Sequence, residues 1–332
     1  MSSVMTKTLQ DYKRGMLAAV ERKQLRVLIP YDGSESAETA LKDLERAGLP
    51  QTFAALIPVT DVWLPSSPDE INRAVDARRL KLLTSGISSF APALRTCEEQ
   101  RVLSREADDR LRSRFPSASV TTQTVDASTS LASEMVEAAE NYGAELIVVG
   151  SDVSPSSQIM DYALPALSIA RSAHCSVRIA RASERKAGSP VNIAIGVDET
   201  KSTERVVKAV SERLWPAGSN VNIVVIGELK PRDPVRESQM ALALDQLADK
   251  LRRRGLTVSI AVEYGQRPED LLLAHAKKIS TDCIFLDAGL LGDGQGSHGL
   301  SKVAQSVVLG ASCSVEIVRP KILSREHLDP AA

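Results

Sequence analysis

Short apolar runs alternate with amphipathic segments along nearly the whole chain. Runs such as LRVLIP (residues 25–30) and ELIVVG (145–150) are typical of strands buried on both faces of a parallel sheet. Segments between such runs, for example SLASEMVEAAENYG (130–143), place apolar residues at helical spacing. This alternation predicts an α/β fold, in which helices cover both faces of a parallel sheet.

The same pattern occurs twice. ARSAHCSVRIAR (170–181) resembles LGASCSVEIVRP (309–320), and LRVLIPYDGSESAETALKDLERAG (25–48) resembles VNIAIGVDETKSTERVVKAVSERL (191–214). Asp32 and Asp198 hold the same place in the second pair. The chain is therefore predicted to be a duplicated domain, with five strands in each copy and the Cys-Ser-Val segments at the start of the fifth strand.

The repeats also predict where the domains begin and end. We expect an N-terminal helical arm (1–24), a first domain (25–181) with an insert at about 61–97, a polar linker (182–190), a second domain (191–320) and a C-terminal tail (321–332). A chain of 332 residues is also longer than one hydrophobic core usually serves.

Composition excludes several classes of function. A net charge of -1 gives no general attraction to nucleic acid or to an anionic membrane. No apolar run approaches the roughly 18 residues that a membrane span needs, and the first residues lack the apolar core of a secretion signal, so we expect a cytoplasmic protein. The four cysteines form no Cys-x-x-Cys pair, which favours buried reduced thiols over a metal site.

RVLIPYDGSESAETAL at the start of the first copy, with ELIVVGSD and HCSVRIAR at its end, resembles the universal stress protein family. NIAIGVDETKSTERVV and SCSVEIVRP repeat the resemblance more weakly, so the tandem form of the family is indicated. The resemblance implies two doubly wound, five-stranded parallel-sheet domains of the adenine nucleotide alpha hydrolase-like class. It also implies a role in stress response or signalling, and in some members ATP binding.

ATP-binding members resemble one another in the loop after the fourth strand. There a glycine, a second glycine three residues later and a Gly-Ser or Gly-Thr pair let the backbone approach phosphate at a helix N-terminus. The first copy keeps Gly150, but Val153 and Ala163-Leu164 occupy the later positions. The phosphate loop of the first copy is therefore predicted to be lost, although Asp32 remains for the ribose or adenine side.

The second copy rebuilds part of this loop. Asp287 replaces the first glycine, and its negative charge would repel phosphate, but Gly289 and Gly292 restore the spacing of two glycines. Ser301 is a good helix cap, and Lys302 could neutralise a phosphate. Two structural alternatives stay open. The second loop could be a flexible glycine-rich loop that binds no phosphate, and Asp32 and Asp198 could simply cap the helices that follow them. The candidate nucleotide-binding residues are Asp198, Gly289, Gly292, Ser301, Lys302, Asp32 and Gly150, with ATP and Mg²⁺ as candidate ligands.

Two questions of function and assembly follow. The chain is either a nucleotide-binding stress protein or an interaction scaffold with degenerate loops; it carries no enzyme motif, so at most slow, incidental ATP hydrolysis is expected. The segments SVRIAR and SVEIVR alternate apolar and polar residues. The family resemblance implies that this fifth strand lies at the edge of each sheet, and an open edge must be covered. We expect these two edges to pair inside the chain, with pairing between chains in a homodimer as the alternative.

Overall fold

The computed structural model describes residues 24–60, 97–125, 131–151, 165–198, 202–227, 234–291 and 299–320. The predicted N-terminal arm, the C-terminal tail and all of the predicted insert except its last residue lie outside the described residues. That last residue, Cys97, is the first residue of a helix.

Strands and helices alternate through both halves. The first half contains β1 (Leu25–Leu28), α1 (Glu35–Leu44), β2 (Phe53–Thr60), α2 (Cys97–Arg114), β3 (Ser119–Val125), α3 (Leu131–Tyr142), β4 (Leu146–Gly150), α4 (Pro165–Ser172) and β5 (Ser176–Ala180). The second half contains β6 (Asn192–Val197), α5 (Ser202–Ser211), β7 (Asn220–Gly227), α6 (Pro234–Arg252), β8 (Thr257–Tyr264), α7 (Pro268–Lys278), β9 (Cys283–Asp287), α8 (Lys302–Gly310) and β10 (Ser314–Val318).

The sheet confirms the predicted duplication of the fold. Its order is β3-β2-β1-β4-β5-β10-β9-β6-β7-β8, so each half is a parallel, doubly wound five-stranded sheet. The registers also correspond, because Tyr31 lies beside Val59 in the first half as Val197 lies beside Val225 in the second. The residues that follow Tyr31 and Val197 are the two equivalent aspartates of the repeat.

The halves join through their fifth strands, as the sequence predicted. β5 and β10 pair antiparallel, with Val177 opposite Ile317 and Ile179 opposite Val315. The two sheets therefore form one ten-stranded sheet. The alternative, in which these edges pair between chains, is wrong, because each edge is already paired within the chain.

Each copy of the repeated ending binds the other half. The Ser314 hydroxyl accepts a hydrogen bond from the backbone N–H of Arg181 (3.1 Å), and the Arg181 guanidinium donates to a carbonyl in the last turn of α8 (2.6 Å). Reciprocally, the Ser176 hydroxyl accepts from the N–H of Arg319 (3.2 Å), whose guanidinium donates to a carbonyl in the last turn of α4 (2.8 Å). The repeated Ser and Arg therefore hold the two halves together.

One face of the sheet carries a hydrophobic core that is continuous across both halves. Helices α3 and α4 of the first half and α7 and α8 of the second pack on it, and Val177, Ile179, Val315 and Ile317 lie in it where the halves meet. All four side chains are buried, so the apolar core continues from one half to the other at these strands.

The opposite face carries two separate cores. Helices α1 and α2 cover the first half, and α5 and α6 cover the second. Between these cores lies a cluster of charged side chains, Asp43, Arg178, Arg213 and Glu316, which we call the polar seam. Arg178 and Glu316 lie opposite each other in β5 and β10, on the face away from the continuous core.

Candidate functional site

The candidate residues lie at the carboxyl ends of two pairs of neighbouring strands. In the first half β1 lies beside β4, and in the second half β6 lies beside β9. In each pair, the two strands lead to helices on opposite faces of the sheet: β1 leads to α1 and β4 to α4, and β6 leads to α5 and β9 to α8. This is the switch point at which ligands bind in open α/β sheets.

Asp32 organises the turn after β1. Its carboxylate accepts a hydrogen bond from the backbone N–H of Ser34 (2.9 Å), and the Ser34 hydroxyl accepts from the N–H of Ala37 (3.2 Å) to cap α1. The helix-cap interpretation of Asp32 is therefore wrong, because Ser34 is the cap. Gly33 between them has a φ of +77°, a conformation that side chains rarely adopt.

Gly150 is needed for packing whether or not a phosphate binds. A Cβ atom at this position would lie 1.8 Å from the backbone oxygen of Ser36, so only glycine lets α1 lie this close to β4. The glycine that the sequence assigned to a phosphate loop thus has a structural reason of its own. The replaced loop positions, Val153 and Ala163-Leu164, lie outside the described residues.

A buried tyrosine follows β1 at the first half-site. The Tyr31 hydroxyl donates a hydrogen bond to the carboxylate of Glu38 (2.8 Å), which also forms an ion pair with Arg110. Burial, and then the neighbouring Glu38 carboxylate, raise the pKa of Tyr31 well above its usual value. The equivalent position of the second half is Val197, so the two half-sites differ in chemistry as well as in loop sequence.

Asp198 connects three elements of the second half-site. One carboxylate oxygen accepts from the backbone N–H of Leu291, in the turn after β9 (3.0 Å), and the other accepts from the Ser202 hydroxyl at the start of α5 (3.3 Å). The backbone oxygen of Asp198 also accepts from the Thr203 hydroxyl (2.9 Å). Asp198 is buried and joins the end of β6 to the loop of the neighbouring strand.

Asp287, the residue expected to repel phosphate, is neutralised by an arginine. Its carboxylate pairs with Arg205 of α5 and accepts the backbone N–H of Gly289 (2.9 Å). Sequence analysis missed Arg205, because 82 residues separate the partners and no local pattern connects them. Arg205 places a positive charge at the end of β9, where the sequence alone suggested a net negative one.

Ser301 fixes the start of α8 against the turn after β9. Its hydroxyl accepts the N–H of Ala304 (3.1 Å) as a helix cap and donates to the carbonyl of Leu290 (2.8 Å). Its own N–H donates to the carbonyl of Ala288 (2.8 Å). Lys302, the first residue of α8, is exposed. Gly292 lies outside the described residues.

The structure therefore assembles most of the predicted second site. Asp198, Gly289 and Ser301 are joined by hydrogen bonds through one turn, and Lys302 follows directly at the helix N-terminus. Asp32 and Gly150 lie together at the first half-site, at the ends of β1 and β4. Among the described residues, no group of three or more His, Cys, Asp and Glu side chains could hold a metal ion.

Comparison with solved structures gives matches that cover about nine tenths of this chain. A universal stress protein from Archaeoglobus fulgidus DSM 4304 matches with a TM-score of 0.57 and 16% identity, covering 89% of this chain and 96% of the other. A putative universal stress protein from Pseudomonas aeruginosa UCBPP-PA14 matches with a TM-score of 0.54 and 14% identity, covering 90% and 94%.

The chain has the universal stress protein fold. A protein of unknown function from Pseudomonas aeruginosa PAO1 shares it, with a TM-score of 0.52, 14% identity and coverage of 90% and 94%. No family model and no curated protein matches the sequence. At 14–16% identity these matches show the fold, so the function must be argued from the residues of this chain.

The universal stress fold explains why the second site forms where it does, at the switch point of a doubly wound sheet. The fold resemblance that the sequence indicated is thereby confirmed, over most of the chain and in both halves. In the part of the chain that the structure describes, no helix is long and apolar enough to cross a membrane.

Proposed function

We propose that this protein acts in stress response or signalling by binding an adenine nucleotide at the carboxyl ends of β6 and β9. One observation carries the proposal: Asp198, the Gly289–Leu291 turn and the N-terminus of α8 are held together by direct hydrogen bonds. The first half keeps an equivalent aspartate and Gly150, but its neighbouring loop has lost the later glycine positions.

The residues of this site fit a nucleotide phosphate by their charge. The N-terminus of α8 presents backbone N–H groups and the positive end of a helix dipole. Lys302 adds an exposed positive charge there, and Arg205 offsets the carboxylate of Asp287. A bound nucleotide would place its phosphates beside these positive charges. Asp198 would then lie on the ribose or adenine side, and Mg²⁺ is a candidate ion bound to the phosphates.

The first test is equilibrium binding of ATP and AMP to the full chain by calorimetry. Lys302→Ala should weaken ATP binding about ten- to a hundredfold, because a charge-assisted phosphate contact contributes about 1.5–3 kcal/mol. The same substitution should weaken AMP binding less, because AMP lacks the outer phosphates. The matched control is Asp32→Asn in the first half, which should leave ATP affinity unchanged.

A second variant tests the charge argument in the opposite direction. Asp287→Asn keeps an acceptor for the N–H of Gly289 but removes the negative charge beside Arg205. ATP should therefore bind more tightly to this variant than to the parent protein. If Asp32→Asn abolishes binding while Lys302→Ala and Asp287→Asn leave it unchanged, the nucleotide belongs to the first half.

An interaction scaffold without a nucleotide is the second candidate function. It is favoured by the contacts of Asp198, whose two carboxylate oxygens each accept a hydrogen bond from the protein itself. Absence of binding at millimolar ATP would support the scaffold. In either case we propose that the protein works by binding in the cytoplasm, without catalysis.

A further inference from the structure

The outer edge of the second half differs in character from the outer edge of the first. β3 and β8 are the two end strands of the sheet, and among the described residues each pairs with a strand on one side only. The registers make them equivalent, since Thr122 lies opposite Ile57 and Ile260 lies opposite Ile223. The positions of Thr122 and Thr124 in β3 are occupied by Ile260 and Val262 in β8.

These two aliphatic residues are exposed. Ile260 is 38% and Val262 is 45% accessible, although neither has a polar atom in its side chain. Alternation along β8 places both on the face of Val258, which packs against the core under α6. They therefore extend that apolar face beyond the last helix, at the strand edge.

The neighbouring helix α6 also exposes uncharged residues in its middle turns. In α6 the exposed residues of the middle turns include Ala241, Ala243 and Leu242, and Leu242 is 64% accessible. The corresponding helix of the first half, α2, carries the sequence CEEQRVLSREADDRLRSR, in which charged residues predominate. The β8 edge thus exposes two aliphatic side chains where the β3 edge has threonines, and an exposed apolar edge strand invites pairing.

We propose that the β8 edge is a homodimerisation surface, at which two copies of this chain pair their β8 strands antiparallel about Ala261. This register is self-complementary: Ile260 lies opposite Val262 of the second copy, and Val258 opposite Tyr264. Glu263, the one charged residue of β8, lies opposite Ser259, so the two copies do not bring their carboxylates together. The geometry repeats the antiparallel joint between β5 and β10.

The projected size of this surface is comparable to that of a specific interface. An eight-residue strand is about 27 Å long, and a sheet with one layer of helices is about 20 Å thick. The end wall therefore offers about 540 Å² of each copy, or about 1,100 Å² in total, which exceeds the roughly 1,000 Å² expected of a specific interface. A two-fold axis through Ala261 also closes the assembly at two copies.

The test is sedimentation equilibrium of the full chain and of Ile260→Thr/Val262→Thr, which gives β8 the residues of the first-half edge. The parent should be a dimer, and the variant should dissociate about tenfold or more readily, because apolar contacts are lost. At a protein concentration low enough for both proteins to be monomeric, the unfolding midpoint of the variant should match that of the parent. The control is Thr122→Ala/Thr124→Ala in β3, which should leave the dimer intact.

Cross-linking tests the register directly. In an antiparallel pair centred on Ala261, the two copies of this position lie opposite each other, so Ala261→Cys should give a disulfide-linked dimer under mild oxidation. The equivalent edge position of the first half is Gln123, and Gln123→Cys should stay unlinked. A monomeric parent, a dimer that survives Ile260→Thr/Val262→Thr, equal linkage at Gln123, or binding of a foreign extended peptide in place of a second copy would each overturn the proposal.

Discussion

Arg178 and Glu316 occupy equivalent positions of the two repeats and lie opposite each other where the halves meet. Arg178 is fully buried and contacts Glu316 (3.2 Å) and Asp43, the latter through two hydrogen bonds of 2.5 and 3.1 Å. Arg213 pairs with the other oxygen of Glu316 and donates to the carbonyl of Ala47 (2.8 Å). The polar seam thus holds two positive and two negative charges.

Burial by itself would lower the pKa of Arg178. The neighbouring Asp43, followed by Cys283 and Glu316, outweighs burial and holds the pKa well above its usual value. Arg178 therefore stays charged, and its removal would leave the buried carboxylates of Asp43 and Glu316 with one remaining cation in the polar seam, Arg213.

Arg178→Met should consequently lower the free energy of unfolding by about 3–5 kcal/mol, the cost of breaking a buried ion pair by deleting one partner. Urea unfolding of the full chain measures this change. The control is Arg112→Met, because the ion pair of Arg112 with Asp108 is exposed and its loss should leave the midpoint unchanged. An equal effect of both substitutions would show that the seam contributes nothing beyond surface charge.

At the residue scale, the sequence predicts what depends on neighbours along the chain. Ser301 was recognised as a helix cap from its position, and the structure confirms it. Cys283 is a buried free thiol as expected, whereas Cys175 and Cys313 are half-buried free thiols whose pKa burial raises to about 12. The partner of Arg178 could not be predicted, because Asp43 lies 135 residues away.

Among the elements, β5 and β10 connect the two halves by more than their sheet hydrogen bonds. Arg181 and Arg319 each bind the last turn of a helix in the other half, where backbone carbonyls lack partners within the helix. Burial lowers the pKa of Arg319, and its position at the negative end of the helix dipole offsets part of that cost.

Arg181→Ala and Arg319→Ala should each destabilise the protein by about 1.5–3 kcal/mol, through the lost charge-assisted hydrogen bond and the lost packing of the side chain. The two effects should add in the double variant, since the arginines bind different helices. Thermal or urea unfolding of the three variants measures this. Arg185→Ala is the control: Arg185 is exposed, and its partner Asp282 keeps a second arginine, Arg46.

The elements themselves were largely predictable, because hydrophobic periodicity is a local property of the chain. The sequence predicts a long charged helix in each half, at about 98–114 and 235–253, and the structure has these helices at Cys97–Arg114 and Pro234–Arg252. The pairing of β5 with β10 followed from the repeat and from the need to cover an edge strand. The difference between the two edge strands is present in the sequence, because β3 has threonines where β8 has Ile260 and Val262. The register of the sheet was needed to show that these positions are equivalent.

At the scale of the whole molecule, two repeats share one sheet and one continuous core. The strands that join the halves are buried on one face by helices of both halves, and on the other by the polar seam. Neither half can lose β5 or β10 without exposing apolar side chains of the other. The two halves should therefore unfold together, in contrast to domains joined by a linker alone.

Two matched substitutions in the cores that are not shared test this cooperativity. Leu111 of α2 lies in the core of the first half and Leu251 of α6 in that of the second, and both are fully buried. Leu111→Ala and Leu251→Ala should each remove about 2–5 kcal/mol of stability. If the halves unfold as one unit, the loss of stability should be measured in both halves, whichever leucine is replaced.

Native-state hydrogen exchange followed by mass spectrometry distinguishes the halves, because β4 and β9 fall in different peptides. Leu111→Ala should speed exchange in β9 as much as in β4, and Leu251→Ala should do the same in reverse. The expected symmetry has a physical cause: opening one half breaks the β5–β10 pairing and the reciprocal arginine contacts on which the other half depends. Slow exchange preserved in the unaltered half would instead show that the continuous core can divide at β5 and β10, and that each repeat is stable without its neighbour.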